Sequence, residues 1–200
     1  TDGSEPTASS PVYSEPIEIN EDTTIKAFAE KEGLTSSKVY TYDYIIQKDV
    51  VRIYEIQGKG HYSKYEGLNV NDVEGVVTYV LGKNDVYIQD LEGDGNETTS
   101  DGILVYQEGH GLVPGDVVKV SGKIKEHFIE GYDDRYQVDL PSTEIAASKV
   151  EKVRSGETLP TPVIIGKDRT APTEVIDNDS LTKFEPQEDA IDFYESLEGM

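Results

Sequence analysis

The sequence predicts an all-β protein made of two small modules, followed by an extended segment that ends in a short helix. Apolar and polar side chains alternate with a period of two along several stretches, which is typical of half-buried strands. Turn-forming residues separate these stretches, and the chain holds 18 Gly and 9 Pro. We find no tandem repeat of fixed period.

Composition excludes several classes of protein. The chain has 200 residues with 40 acidic and 18 basic side chains, so its formal charge is −22. This charge disfavours a basic protein that binds nucleic acid or a membrane surface mainly through charge. The absence of Cys excludes disulfides, cysteine zinc sites and thiol catalysis. No apolar run approaches the roughly 20 residues of a membrane span. We expect the chain to be a monomer.

The first module is predicted to span residues 1–47. Residues 24–29 alternate, and so do residues 38–46, which predicts a strand in each stretch. The second stretch carries an aromatic ladder on one face, formed by Tyr40, Tyr42 and Tyr44. The ladder is either one face of a sandwich strand or an exposed platform on which carbohydrate stacks.

The second module is predicted to span residues 48–154 and to form a small barrel. Six β-rich stretches are predicted to be strands: residues 69–81, 86–91, 103–106, 116–128, 136–140 and 145–153. Gly75 suggests a bulge or bend in the first of them, and Gly122 interrupts the fourth. Five or six short strands with a bent first strand favour the OB-fold.

The first module contains a distinctive series of residues in a fixed order: Asp2-Gly3-Ser4, Pro6-Thr7, Ser10, Tyr13, Pro16-Ile17, Thr24-Ile25-Lys26-Ala27, Ala29, Gly33, Ser37-Lys38-Val39 and Tyr44. In these residues the module resembles the small immunoglobulin-like module at the C-terminus of chitobiases and hexosaminidases. That family normally has one more strand before the Asp-Gly-Ser turn, so we expect a partial module cut from a longer protein.

Two segments of the second module are distinctive together: Ile53 to Gly58 (IYEIQG) and Thr99 to Val105 (TSDGILV). Further residues of the same pattern are Gly60-His61, Ser63, Gly67, Val70, Val73, Glu74-Gly75-Val76-Val77-Thr78, Gln89-Asp90, Asp94-Gly95, Tyr106, Gly115-Asp116, Val118, Val120 and Gly122. In these residues the module resembles the OB-fold region of large secreted bacterial nucleases, the Bacillus-type cell-wall, sugar-nonspecific endonucleases and related extracellular exonucleases. The resemblance implies that a metal-dependent catalytic domain follows and that the protein is secreted or associated with the cell wall.

Residues 155–200 are predicted to be a connector to a missing downstream domain. Pro160 and Pro162 keep its start extended. Near its end, the spacing of Ile191, Tyr194 and Leu197 predicts a short amphipathic helix. Residues 163–165 could add an edge strand.

The sequence shows no catalytic set. The three histidines, His61, His110 and His127, lie far apart on different predicted elements, and we interpret each as a turn or surface residue. The chain carries no nucleophile-elbow, zinc-protease or phosphate-loop motif. We therefore expect no active site in this segment.

An acidic stretch from Asp90 to Asp101 has the spacing of a twelve-residue calcium loop. Oxygen-bearing residues fall at positions one, three, five, nine and twelve, and glycine falls at position six. Glu at position three and Asp at position twelve depart from the usual pattern, and a solvated hairpin loop is the alternative. The candidate calcium ligands are Asp90, Glu92, Asp94, Asn96, Thr98 and Asp101.

The OB-fold suggests weak contact with single-stranded DNA or RNA, through aromatic stacking and a positive groove. Against this, residues 53–154 hold 19 acidic and 10 basic residues, a net charge of −9. The candidate contacts are Tyr79, Lys83, Tyr87, Lys119, Lys123 and Lys125. We expect a non-catalytic accessory segment of a secreted nuclease; the alternatives are a module that binds cell-wall glycans and a structural spacer.

Overall fold

The computed structural model describes residues 4–46, 48, 50–128, 136 and 139–200. The chain divides into two compact units, Thr1–Lys48 and Asp49–Met200. In the described residues, no helix is long and apolar enough to cross a membrane. The elements in chain order are β1 (Thr23–Ala27), β2 (Tyr40–Tyr44), α1 (Ile53–Gln57), β3 (Asn69–Val80), β4 (Asp85–Gln89), β5 (Gly102–Tyr106), β6 (Val117–His127), β7 (Ser142–Arg154) and α2 (Ala190–Glu195).

The first unit contains an antiparallel pair of strands, β1 and β2, at the two predicted places. Ile25 lies opposite Tyr42 in this pair, and all five residues of β2 are exposed. Beyond the paired residues, the backbone N–H of Ile46 donates to a carboxylate oxygen of Asp22 at 2.9 Å. The tyrosine ladder of β2 is thus held on a short sheet with its rings open to solvent.

The second unit is a closed five-stranded barrel with the strand order β3-β4-β5-β7-β6. Only β5 and β7 pair in parallel; the other neighbouring strands are antiparallel. This connectivity is that of an OB-fold, so the predicted all-β fold with an OB barrel is confirmed.

Side chains of all five strands form the buried core of the second unit. The fully buried ones are mostly β-branched, which suits a pleated surface packed against itself. The core strand residues with no exposed surface are Val73, Val76, Val77, Val86, Ile88, Ile103, Val105, Val117, Val118, Val120, Ile124 and Ile145. The short helix α1, which the sequence did not predict, adds Ile53 and Ile56 to this core.

The bend in β3 does not centre on Gly75. The irregular pairings lie on either side of it, between Val70 and Val73 and between Val77 and Tyr79. A Cβ at Gly75 would lie 3.1 Å from the Ile53 side chain and from the Gln89 carbonyl oxygen. Gly75 therefore permits α1 and β4 to approach β3 closely, which is a packing role.

The C-terminal segment packs with the barrel in the same compact unit, where the sequence predicted a connector. Phe193 of α2 is 2% exposed, and Ser100 Oγ donates to the Glu198 carbonyl oxygen at 2.5 Å. The predicted helix is confirmed as α2. Residues 163–165 form no strand, and only an isolated bridge joins Ile165 to Arg169. The predicted strand at 136–140 lies partly outside the described residues, since residues 137 and 138 are not described.

Candidate functional site

The two predicted aromatic residues of the barrel lie opposite each other. Tyr79 of β3 and Tyr87 of β4 are partners in the strand register. Tyr79 is 58% exposed, and Tyr87 is half-buried. Burial, with the nearby charges of Glu198 and Asp85, raises the pKa of the Tyr87 hydroxyl. The two tyrosine side chains thus lie on the same face of the β3–β4 pair, and the Tyr87 hydroxyl is neutral.

A third tyrosine extends this surface onto β5. Tyr106 is 42% exposed and lies opposite Asp85, two positions along β4 from Tyr87. Sequence reasoning missed it, because a single Tyr at the end of a four-residue apolar run carries no distinctive signal. We call Tyr79, Tyr87 and Tyr106 the aromatic patch.

Lys83 lies in the tight turn between β3 and β4, as predicted. The turn is closed by a hydrogen bond from the backbone N–H of Leu81 to the Asp85 carbonyl oxygen at 2.9 Å. Asn84 also accepts a backbone hydrogen bond from Gln107 at 2.8 Å, so the turn is tied to the end of β5. Lys83 is exposed and lies between the two strands that carry Tyr79 and Tyr87.

The predicted lysine stripe is on β6, but acidic residues flank it on both neighbouring strands. Lys119 lies opposite Glu74 of β3 and Glu151 of β7. Lys125 lies opposite Glu144, whose pKa burial raises while His127 and Lys125 lower it. Lys123 has uncharged neighbours in both strands, Asn69 and Ala146. The stripe therefore offers phosphate less net positive charge than its sequence suggested.

Asp90, the first predicted calcium ligand, is already paired with an arginine. Its side chain is 1% exposed, and the Arg52 guanidinium binds both carboxylate oxygens, with Nε at 2.8 Å from Oδ2. The hydrogen bond to Asp90 raises the pKa of Arg52 further above its usual range. No sequence pattern predicts this pair, because 38 residues separate its members.

The rest of the acidic loop is held by its own hydrogen bonds. The Thr99 hydroxyl donates to both Asp94 carboxylate oxygens, at 3.0 and 2.9 Å. Asn96 Oδ1 accepts the Thr98 backbone N–H at 3.1 Å. Burial raises the pKa of Asp101, and Glu92 is exposed.

These carboxylates do not meet at one point. Among the described residues, the one group of three acidic or histidine side chains whose ligand atoms all lie within 4.8 Å is elsewhere, in the C-terminal segment. Calcium binding by the loop stays a prediction, and the metal would need to compete with Arg52 for Asp90 or bind without that ligand.

His61 differs from its expectation as a turn or surface residue. It is 8% exposed, and its Nε2 lies 2.6 Å from Asp192 Oδ1 of α2. Its ring packs edge-on against Phe184 at 5.4 Å between centroids. His61 therefore ties the C-terminal segment to the region that follows α1. Sequence spacing could not reveal a partner 131 residues away.

Two further acidic side chains of the C-terminal segment, Glu195 and Glu198, are half-buried. Burial, with neighbouring carboxylates, raises the pKa of Glu195 to about 8 and that of Glu198 to about 9. Glu198 Oε1 accepts the Thr143 backbone N–H at 2.6 Å. Both carboxyls are thus largely protonated at neutral pH.

Comparisons with known protein families match two parts of the chain. Residues 1–41 match the chitobiase/beta-hexosaminidase C-terminal domain, which confirms the resemblance of the first module. Residues 164–200 match a domain of unknown function, DUF8508. Each match covers about a fifth of the chain. No curated protein matches the sequence.

Among solved structures, the chain is similar to the hypothetical protein ygiW from E. coli. The two share 17% identity over 44% of this chain and 77% of that chain, with a TM-score of 0.28. The OB-fold assignment rests on the strand order and on the parallel β5–β7 pair described above.

Proposed function

We propose that this chain is a non-catalytic accessory segment of a secreted or cell-wall-associated bacterial nuclease, and that its barrel binds single-stranded DNA or RNA. The observation that carries the proposal is the aromatic patch on the outside of the OB barrel. The proposal of a nuclease as the parent, with metal-dependent phosphodiester hydrolysis in a covalently linked downstream domain, rests on the resemblance of residues 53–122. We expect this chain alone to cleave neither DNA nor RNA.

Stacking, more than charge, would supply the affinity. Each base stacked on an aromatic ring contributes about 1–3 kcal/mol, and the contact tolerates any base. The net charge of −9 over residues 53–154 repels phosphate within a Debye length of about 8–10 Å. We expect Lys83, at the edge of the patch, to contact a phosphate, whereas Lys119 and Lys125 of β6 lie opposite acidic residues. Binding is therefore weak and falls with salt.

Fluorescence anisotropy with a labelled oligothymidine at about 50 and 200 mM salt tests the proposal. We expect Tyr79→Ala combined with Tyr87→Ala to weaken binding at least tenfold at low salt. Tyr62→Ala is the matched control, because Tyr62 is 53% exposed and lies outside the patch. Equal binding by the double variant and the control would contradict the proposal, as would tight binding that salt does not weaken.

The first unit favours a second function, binding of cell-wall glycan. Tyr40, Tyr42 and Tyr44 are 46%, 52% and 46% exposed on one face of β2. Pyranose rings stack on such faces without needing positive charge, so the acidic composition does not oppose this contact. Pull-down on purified peptidoglycan tests it: Tyr42→Ala should release the chain, whereas Tyr62→Ala should not. Binding that Tyr42→Ala leaves unchanged would contradict it.

A further inference from the structure

A cavity lies between the outer face of the barrel and the C-terminal segment, within the second unit. Its volume is about 480 Å³, which falls in the range of roughly 300–1,000 Å³ in which proteins bind small molecules. Thr78 of β3 and Gln89 of β4 form its barrel side. The other side is formed by residues of the stretch 159–165, including Pro160 and Pro162, and by residues of α2 and the turn after it.

Gln89 brings an unpartnered amide to this cavity. Along β4, Val86 and Ile88 have no exposed surface and belong to the barrel core, so Tyr87 and Gln89 point to the outer face. Gln89 is nevertheless only 9% exposed. In the described part of the chain, no hydrogen bond engages its side chain. The donor and the acceptor of the Gln89 amide are therefore available to a ligand in the cavity.

The rest of the lining is apolar or uncharged. Leu159, Leu197 and Met200 contribute aliphatic surface, and Tyr194 of α2 contributes an exposed aromatic ring. Among the described residues, no charged side chain lines the cavity, although the whole chain has a formal charge of −22. Such a lining favours a flat, uncharged ring with a polar edge over a phosphate or a metal ion.

The cavity adjoins the aromatic patch. Gln89 lies two residues after Tyr87 on the same face of β4, which is about 7 Å along the strand. Thr78, which lines the cavity, precedes Tyr79, and its hydroxyl donates to the Tyr87 carbonyl oxygen at 3.3 Å. A single strand whose bases stack on Tyr79 and Tyr87 would thus place a neighbouring base near the cavity.

We propose that this cavity binds one nucleobase of the single strand, and that adenine is the base it fits best. The inference deepens the proposed nucleic-acid binding and rests on it. A glutamine pairs with adenine through two hydrogen bonds, because its amide N–H donates to N7 and its carbonyl oxygen accepts from the N6 amino group. Apolar and aromatic walls around the ring are the arrangement by which proteins hold a base outside its stack. The cavity would add a base preference, which stacking on the patch does not provide.

Isothermal titration of the chain with adenosine, thymidine and N-acetylglucosamine tests the site. We expect adenosine to bind with a dissociation constant on the order of 10⁻⁴ M, thymidine to bind at least tenfold more weakly, and N-acetylglucosamine not to bind. Gln89→Met removes the amide but keeps the length of the side chain, and it should weaken adenosine binding at least tenfold. Gln187→Met is the matched control, because Gln187 is exposed and lies outside the cavity.

A second variant guards against a folding defect in Gln89→Met. Leu159 lines the cavity at its exposed rim, away from the barrel core. Leu159→Trp should therefore fill the cavity and block adenosine without lowering the melting temperature. Adenosine binding by Leu159→Trp equal to that of the unsubstituted chain would overturn the inference.

Oligothymidine binding distinguishes failure of this inference from failure of the proposed function. Gln89→Met should weaken it less than about threefold, because stacking on Tyr79 and Tyr87 supplies most of the affinity. No adenosine binding at about 5 mM, far above the expected constant, would overturn the inference even where oligothymidine binds. Equal adenosine binding by Gln89→Met and Gln187→Met, or equal affinity for thymidine and adenosine, would also overturn it. Adenosine binding that depends on Gln89, without oligothymidine binding, would support the cavity and contradict the proposed function.

Discussion

At the scale of single residues, the pair formed by Arg52 and Asp90 connects the start of α1 to the acidic loop. Water cannot replace Arg52 as the partner of Asp90, because the Asp90 side chain is only 1% exposed. Arg52 also caps the start of α1. Its backbone N–H donates to Glu55 Oε2 at 3.0 Å, which closes the first turn of the helix. One arginine therefore fixes both a helix start and a buried carboxylate.

We expect Arg52→Gln to lower the free energy of unfolding by about 2–3 kcal/mol. Removing the guanidinium leaves Asp90 buried and uncompensated, and the cost is below that of a fully buried pair because the Arg52 side chain is 38% exposed. Urea denaturation measures the change. The control, Lys149→Gln, breaks an exposed pair with Glu151 and should leave the free energy of unfolding close to that of the unsubstituted chain. Equal losses in the two variants would contradict this account.

At the scale of elements, Gly122 sets how closely β6 crosses β7. A Cβ there would overlap the Ala146 carbonyl oxygen and come within 2.8 Å of the Ala147 Cα, and the strand register shifts between Ser121 and Gly122. These neighbours are backbone atoms, so they cannot turn aside as a flexible side chain could.

Gly122→Ala should therefore destabilise the barrel by about 2–3 kcal/mol, the cost of overpacking that moves backbone. Gly82→Ala is the matched control, because nothing lies within 4 Å of its added Cβ and its φ is not positive. We expect this control to change stability by less than about 0.5 kcal/mol in the same urea titration. A Gly122→Ala variant as stable as the control would contradict the close approach of β6 to β7 at Gly122.

The barrel strands could be predicted from the sequence because period-two alternation marks a surface buried on one side. β3, β4 and β6 appear within two residues of their predicted bounds. The helix α1 escaped prediction, because five residues provide only two core positions, Ile53 and Ile56. The aromatic patch was found except for Tyr106. The pairs of Arg52 with Asp90 and of His61 with Asp192 were not found, since periodicity says nothing about distant partners.

At the scale of the whole molecule, the C-terminal segment brings acidic side chains onto the barrel. Glu195 and Glu198 are influenced by Glu126 of β6, and Glu195 also by Asp192 of α2. Thr143 of β7 donates to Glu198. Protonation removes the repulsion that these groups would otherwise suffer.

We expect the second unit to lose stability as pH rises from about 5 to 9. The folded-state pKa values of Glu195, about 8, and Glu198, about 9, lie above the ordinary 4.5, so the folded chain binds more protons in this window. Stability from these groups is complete below pH 4.5 and lost above pH 9. Asp116 has the opposite effect on stability at low pH. Burial alone would raise its pKa, but hydrogen bonds from Ser155 and Lys152 lower it, so its contribution to stability is lost in acid.

Melting temperatures between pH 5 and pH 9.5 measure this effect. Glu198→Gln should flatten the fall of the melting temperature with pH, because the glutamine side chain does not ionise. Its amide oxygen can still accept the hydrogen bond from the Thr143 backbone N–H. Glu174→Gln, at an exposed position, should follow the unsubstituted chain. A melting temperature that rises towards pH 9 would contradict the burial of these two carboxyls.

The most direct test of nucleic-acid binding by the barrel is a titration of the ¹⁵N-labelled chain with oligothymidine, followed by amide chemical shifts. We expect the largest changes on β3, β4 and β5 around Tyr79, Tyr87 and Tyr106, and on the turn that contains Lys83. Changes confined to residues 1–48, or no changes at millimolar oligothymidine, would contradict it.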